Sequence, residues 1–98
     1  MELRDSNDTG TVSLPERLTL QEAVAVLERL GRLLKTQPGP TVSLNASALK
    51  VFDSSAVAVL LELRRTLLAQ GKTLAVVEWP KRLRDLVGLY GVNELLPG

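Results

Sequence analysis

The sequence predicts a single α/β domain in which helices pack on a sheet that is at least partly parallel. Two runs with apolar residues at helical spacing, Gln21–Lys35 and Ser54–Gln70, alternate with short apolar runs bounded by turn residues. Strands separated by helices need crossover connections, and crossovers make parallel or mixed sheets. The chain has 98 residues, room for one core and not for two. Hydrophobic residues make up 45% of it and aromatic ones only 3%, so that core must be built of Leu, Val and Ala.

Residues 1–10 (MELRDSNDTG) are polar and turn-forming and read as a mobile lead-in or a short edge strand, with the domain proper covering 11–98. Thr11–Leu20 (TVSLPERLTL) is an extended first element, with Pro15 marking an edge or a bulge. In Gln21–Lys35, together with the preceding Leu20, the apolar face expected to pack inward is Leu20, Ala23, Val24, Leu27, Leu30 and Leu34. Pro38, Gly39 and Pro40 break that helix, and Thr41–Asn45 (TVSLN) alternates as a strand. Ala46–Asp53 is a connection pinned to the core by Leu49, Val51 and Phe52. Ser54–Gln70 is the second helix, opened by Asp53 as N-cap and closed by Gly71. Leu74–Trp79 (LAVVEW) is an almost continuous apolar run, as expected of a strand covered on both faces. Pro80 then starts a third helix, Lys81–Tyr90, which Gly91 ends.

Composition narrows the function. Twelve basic residues against eleven acidic ones leave a formal net charge of +1, without the basic bias of a nucleic-acid-binding surface. Cysteine and histidine are both absent, which removes a disulfide framework, the commonest zinc ligands and the imidazole base of a hydrolytic triad. Residues 1–10 read as neither a signal peptide nor a membrane span, so a cytoplasmic location is expected. An enzyme would have to rest on Lys72 or Tyr90 as lone titratable groups, and no second catalytic partner presents itself.

Four features invite a functional reading. Gly71-Lys72-Thr73 looks like the end of a phosphate-binding loop, but the required glycine five residues earlier is Thr66, and the segment follows a helix instead of preceding one. A helix-capping glycine with a cation in the last turn explains it better. Lys81, Arg82 and Arg84 form a basic cluster that reads first as a solvated helix face. Trp79 and Tyr90 are too few for a stacking platform and read as core or rim packing.

Asp53-Ser54-Ser55 is more informative. With Asp53 as cap, both serines occupy the first helical turn, where unsatisfied N–H groups and the positive dipole end favour an added anion such as a phosphate on Ser54. Ordinary capping chemistry accounts for the same triplet. On a helical wheel, Ala56, Val59, Leu60, Leu63 and Leu67 make a sufficient core face opposite Ser54. Val57, Ala58, Leu61 and Leu68 fall within roughly 60° of the Ser54 direction, interrupted by Arg65. This surplus apolar stripe is either a docking face headed by Ser54 or a surface covered by another element of the chain.

Val51-Phe52-Asp53-Ser54-Ser55, the helix after it, Gln70-Gly71-Lys72-Thr73-Leu74, Pro80-Lys81-Arg82-Leu83, Leu89-Tyr90-Gly91-Val92 and Leu95-Leu96-Pro97 together resemble the STAS domain family of anti-sigma-factor antagonists and transporter tails. The ending is most similar to the branch that serves as a small subunit of bacterial phospholipid ABC transporters. Two departures are plain: Ala56 stands where members commonly have glycine, and Ser13-Leu14-Pro15-Glu16-Arg17-Leu18 replaces a longer charged strand. The resemblance implies a mixed β-sheet flanked by helices. It also implies a cytoplasmic subunit, peripheral to the inner membrane, that binds the transporter's ATPase within a complex with a permease and a lipid-binding subunit. No cofactor, metal or catalytic residue is implied. The partner-binding set becomes Asp53, Ser54, Ser55, Val57, Ala58, Leu61, Arg65 and Leu68. In the antagonist branch the residue at Ser54 is instead phosphorylated by a kinase and releases its partner.

Overall fold

A computed structural model describes residues 11–92 together with 95 and 96. The elements run β1 Thr11–Ser13, β2 Arg17–Leu18, α1 Leu20–Lys35, β3 Thr41–Asn45, β4 Val51–Phe52, α2 Ser54–Leu68, β5 Thr73–Val77 and α3 Lys81–Leu89. The lead-in or edge strand expected over 1–10 lies outside the described residues.

Proline chemistry divides the first extended run. Leu14 still donates its N–H to Asn45 O at 2.8 Å, continuing the ladder of β1 on β3, but Pro15 has no N–H to extend it. The chain then leaves that sheet, and Arg17 and Leu18 pair with Val51 and Phe52 instead. The result is a three-stranded sheet in the order β1-β3-β5 and a separate two-stranded one, β2-β4. Every pairing among the described residues is parallel, so the expected α/β architecture is present here through its parallel part.

The small sheet sets where two of the helices begin. Its register sets Leu18 beside Phe52, so the next residues, Thr19 and Asp53, emerge side by side. These are the N-caps of α1 and α2. Two helices distant in sequence therefore start next to each other, and they pack along each other as α2 also packs on β5 and on α3.

The core is aliphatic, as composition required. Leu14, Leu18, Leu30, Leu34, Leu44, Leu60, Leu63, Leu67 and Leu83 are fully buried, and no polar residue among those described is buried. Two expectations are corrected. The strand expected to be covered on both faces is not: Leu74 and Val76 are buried, Ala75 is half-buried and Val77 is exposed. In register with Ala75 and Val77 lie Ser43 and Asn45, so the second face of the sheet is a small, partly polar surface that asks for no apolar cover. On α1, Leu20 and Val24 are not core residues; the inward stripe is Val26, Leu30 and Leu34, with Ala23 and Leu27 half-buried.

The Gly-Lys-Thr segment resolves as a structural clamp. Gly71 takes φ +77, a conformation that suits glycine, and lets the Lys72 N–H reach back to Leu67 O at 2.9 Å. The Lys72 ammonium then donates to Gln37 O and Gly39 O at 2.7 and 3.0 Å, tying down the loop before β3. Trp79 also has a defined task. Residues 73, 75 and 77 direct their backbone groups toward β3, so those of Val76 face the outer edge, where the Trp79 indole N–H donates to Val76 O at 3.0 Å.

Candidate functional site

Asp53 is extended, with φ −132, and opens α2 by accepting the Ser55 N–H on Oδ1 at 2.8 Å. Its other oxygen, Oδ2, accepts the N–H of Leu20 at 3.2 Å, the first residue of α1. One carboxylate thus serves the starts of both helices. The Ser55 backbone N–H, aided by the Leu20 N–H and against partial desolvation, holds the Asp53 carboxyl below the usual aspartate value. Beside it, Thr19 and Glu22 form a capping box: Thr19 donates through its N–H at 2.8 Å and its hydroxyl at 2.6 Å to Glu22 Oε1. The Thr19 hydroxyl first, then its N–H and Arg17, hold the Glu22 carboxyl low as well.

Ser54 follows Asp53 at the first helical position and is exposed. Among the described residues no hydrogen bond holds its hydroxyl. Both oxygens of the neighbouring Asp53 are engaged by backbone amides. Among the described residues no cluster of His, Cys, Asp or Glu could hold a metal ion, and no helix is long and apolar enough to cross a membrane.

Two grooves flank this helix start. On the α1 side a groove of about 380 Å³ is lined by Leu20, Ala23, Val24, Ser55, Ala58 and Val59 among others. Its outer wall, Leu20 and Val24, is 73% and 69% exposed. On the α3 side a groove of about 470 Å³ is lined by Phe52, Asp53, Ser54, Arg82, Leu86, Leu89 and Tyr90 among others. There Leu89 is 78% exposed and Tyr90 is exposed too, while the Arg82 guanidinium lies 4.7 Å from the centroid of the Phe52 ring. Exposed Leu20 and Val24 thus stand on one flank of the exposed serine, and exposed Leu89 and Tyr90 on the other.

The sequence-derived set divides accordingly. Asp53, Ser54, Ser55 and Ala58 are brought together with these grooves, and Leu61 is half-buried against the core. Arg65 is exposed and bonded to Glu62, which raises its already high pKa further. Leu68 is exposed, but it stands 14 residues beyond Ser54, about 21 Å along the axis. Val57 needs correction: at 3% exposure it belongs to the core and cannot line a surface of this chain. The α1 groove lies on the Ser55 and Ala58 flank of α2, and Val57 points to the opposite flank, where α3 is the neighbouring helix. The exposed apolar residues therefore lie on both flanks of the start of α2, Leu20 and Val24 from the beginning of α1 and Leu89 and Tyr90 from the end of α3, and not down the length of α2.

Leu20, Val24, Leu89 and Tyr90 are the residues that sequence reasoning did not assign to the site. A partial signal existed. The apolar arc of α1 is wider than one contact needs, and Leu89 is out of phase with Leu83 and Val87, the buried positions of α3.

A family model described as Mlab, STAS domain, matches residues 1–97. A search among curated proteins gives no match.

Proposed function

Since the chain belongs to the STAS domain family, on its MlaB-like side, a family of generally non-enzymatic domains that work through protein–protein contacts, we propose that it is the small subunit of a phospholipid-transport ABC complex. Its partner is the MlaF-like ATPase subunit, which it binds and supports. The complex, with a permease and a lipid-binding subunit, serves outer-membrane lipid asymmetry, and this chain sits on the cytoplasmic side of the inner membrane through that complex. Nucleotide chemistry belongs to the ATPase, consistent with a Gly71-Lys72-Thr73 segment whose lysine is engaged by loop carbonyls.

One observation carries the reading: Ser54 stands exposed between two grooves whose rims are exposed Leu, Val and Tyr. Desolvating such rims on a partner is the usual source of binding energy at a protein interface. Val24→Glu and Leu89→Glu each place a charge on one rim without touching the core. Both variants are expected to melt like the wild type and to bind the ATPase subunit at least about tenfold more weakly, as measured by calorimetric titration. If both bind undiminished, the proposed face is wrong.

A second reading is favoured by the exposed Ser54 hydroxyl at a helix N-terminus, which suits an added phosphate. In that reading the chain is an anti-sigma-factor antagonist switched at Ser54. Intact-mass measurement after incubation with a serine kinase encoded beside it decides: a single phosphate adduct lost in Ser54→Ala supports the switch, and an unmodified mass excludes it.

A further inference from the structure

We propose that Asp53 is a positioning residue, a single carboxylate that clips the first turn of α1 to the first turn of α2 and so sets the shape of the apolar groove beside Ser54. Its consequence for partner binding rests on the docking reading above; its mechanism rests on geometry alone. The first N–H groups of a helix have no acceptor within that helix. At the start of α1, Thr19 supplies two acceptors: its hydroxyl for the Gln21 N–H at 3.4 Å and its carbonyl for the Glu22 N–H at 3.0 Å. The Leu20 N–H is left over, and Asp53 takes it at 3.2 Å from 33 residues away.

The same carboxylate holds the Ser55 N–H at 2.8 Å. Leu20 and Ser55 are also opposite walls of the α1-side groove. The two bonds that cap the helices are therefore the bonds that space the groove. A group that turns Asp53 aside releases Leu20 and alters the surface offered to a partner. A phosphate on the adjoining Ser54 is such a group, since it brings like charge next to the carboxylate. The other charged groups around Asp53 are Arg82 and Asp85 of α3, which line the second groove with it, and Arg17 and Glu22 at the start of α1, paired with each other.

The test uses the intact chain, alone and with the ATPase subunit. Asp53→Asn keeps one acceptor oxygen for Ser55, and Asn caps helices as well as Asp does, but its NH2 group cannot accept from Leu20. In the wild type, the Leu20 and Ser55 amide resonances are expected to follow one shared acid titration with its midpoint below the usual aspartate value, and in Asp53→Asn both should lose it. The variant should melt within about 5 °C of the wild type. It should nevertheless bind the ATPase subunit at least about tenfold more weakly. A Leu20 resonance that does not follow the Ser55 curve overturns the clip, as does a variant that binds as tightly as the wild type. If the wild type itself does not bind the ATPase subunit, the docking reading fails, and the shared titration alone then upholds or overturns the clip.

Discussion

Ser54→Arg is expected to abolish co-purification with the ATPase subunit while leaving the isolated domain folded. The two effects separate because Ser54 contributes almost nothing to the interior. It is exposed, it follows the cap instead of forming it, and among the described residues its hydroxyl holds no partner. A cation at the positive end of α2 costs about 0.3–1 kcal/mol of stability, small against the roughly 5–15 kcal/mol of a typical domain. At the proposed contact face the same substitution places a long charged side chain between the two grooves, beside Arg82 and Asp85. Forcing that charge out of water into a contact shaped around a serine costs about 2–5 kcal/mol, a loss of roughly thirtyfold or more in affinity. Circular dichroism melting and a pull-down with the ATPase subunit measure the two halves. Undiminished binding would sink the interface; an unfolded variant would show that the first turn of α2 is structural beyond its cap.

Leu60→Ala should produce the largest loss of stability. Leu60 is 0% exposed and sits on the face of α2 opposite Ser54, within the single aliphatic core. Removing a buried leucine to the Cβ takes away transfer energy and leaves a cavity that neighbours fill only in part, at a cost of about 2–5 kcal/mol. For a domain of this size that lowers the melting temperature by roughly 10–30 °C. Urea denaturation of the purified variant measures it directly through the midpoint. A loss under about 1 kcal/mol would mean that α2 does not pack as described. Ala58, two residues earlier and exposed, gives the internal contrast, since Ala58→Ser should change the midpoint little.

Much of the fold was legible because its signals are local. The Pro38-Gly39-Pro40 run and Gly71 follow the ends of α1 and α2 and act through their own backbone conformations, and Asp53 caps α2 through an amide two residues away. The core face of α2 also followed from sequence, since Ala56, Val59, Leu60, Leu63 and Leu67 are all buried. What escaped was the partner of each apolar face. Leu20 and Val24 have the spacing of core residues, and Val57 has the spacing of a surface stripe. Periodicity gives the direction of a side chain around its own helix, but not whether another helix stands there.

The sequence by itself determined the class of fold, the aliphatic character of the core, the position of Ser54 at a capped helix start and the resemblance that the family match bears out. Only the tertiary structure decided which residues share a surface with that serine. The reason is the parallel pairing of β2 with β4, two residues each, which places Thr19 beside Asp53 and so brings α1 to the start of α2. A register between strands 34 residues apart leaves no local trace, yet it joins Leu20 and Val24 to the Ser54 site. On the other flank, the packing of α3 on α2 brings in Leu89 and Tyr90.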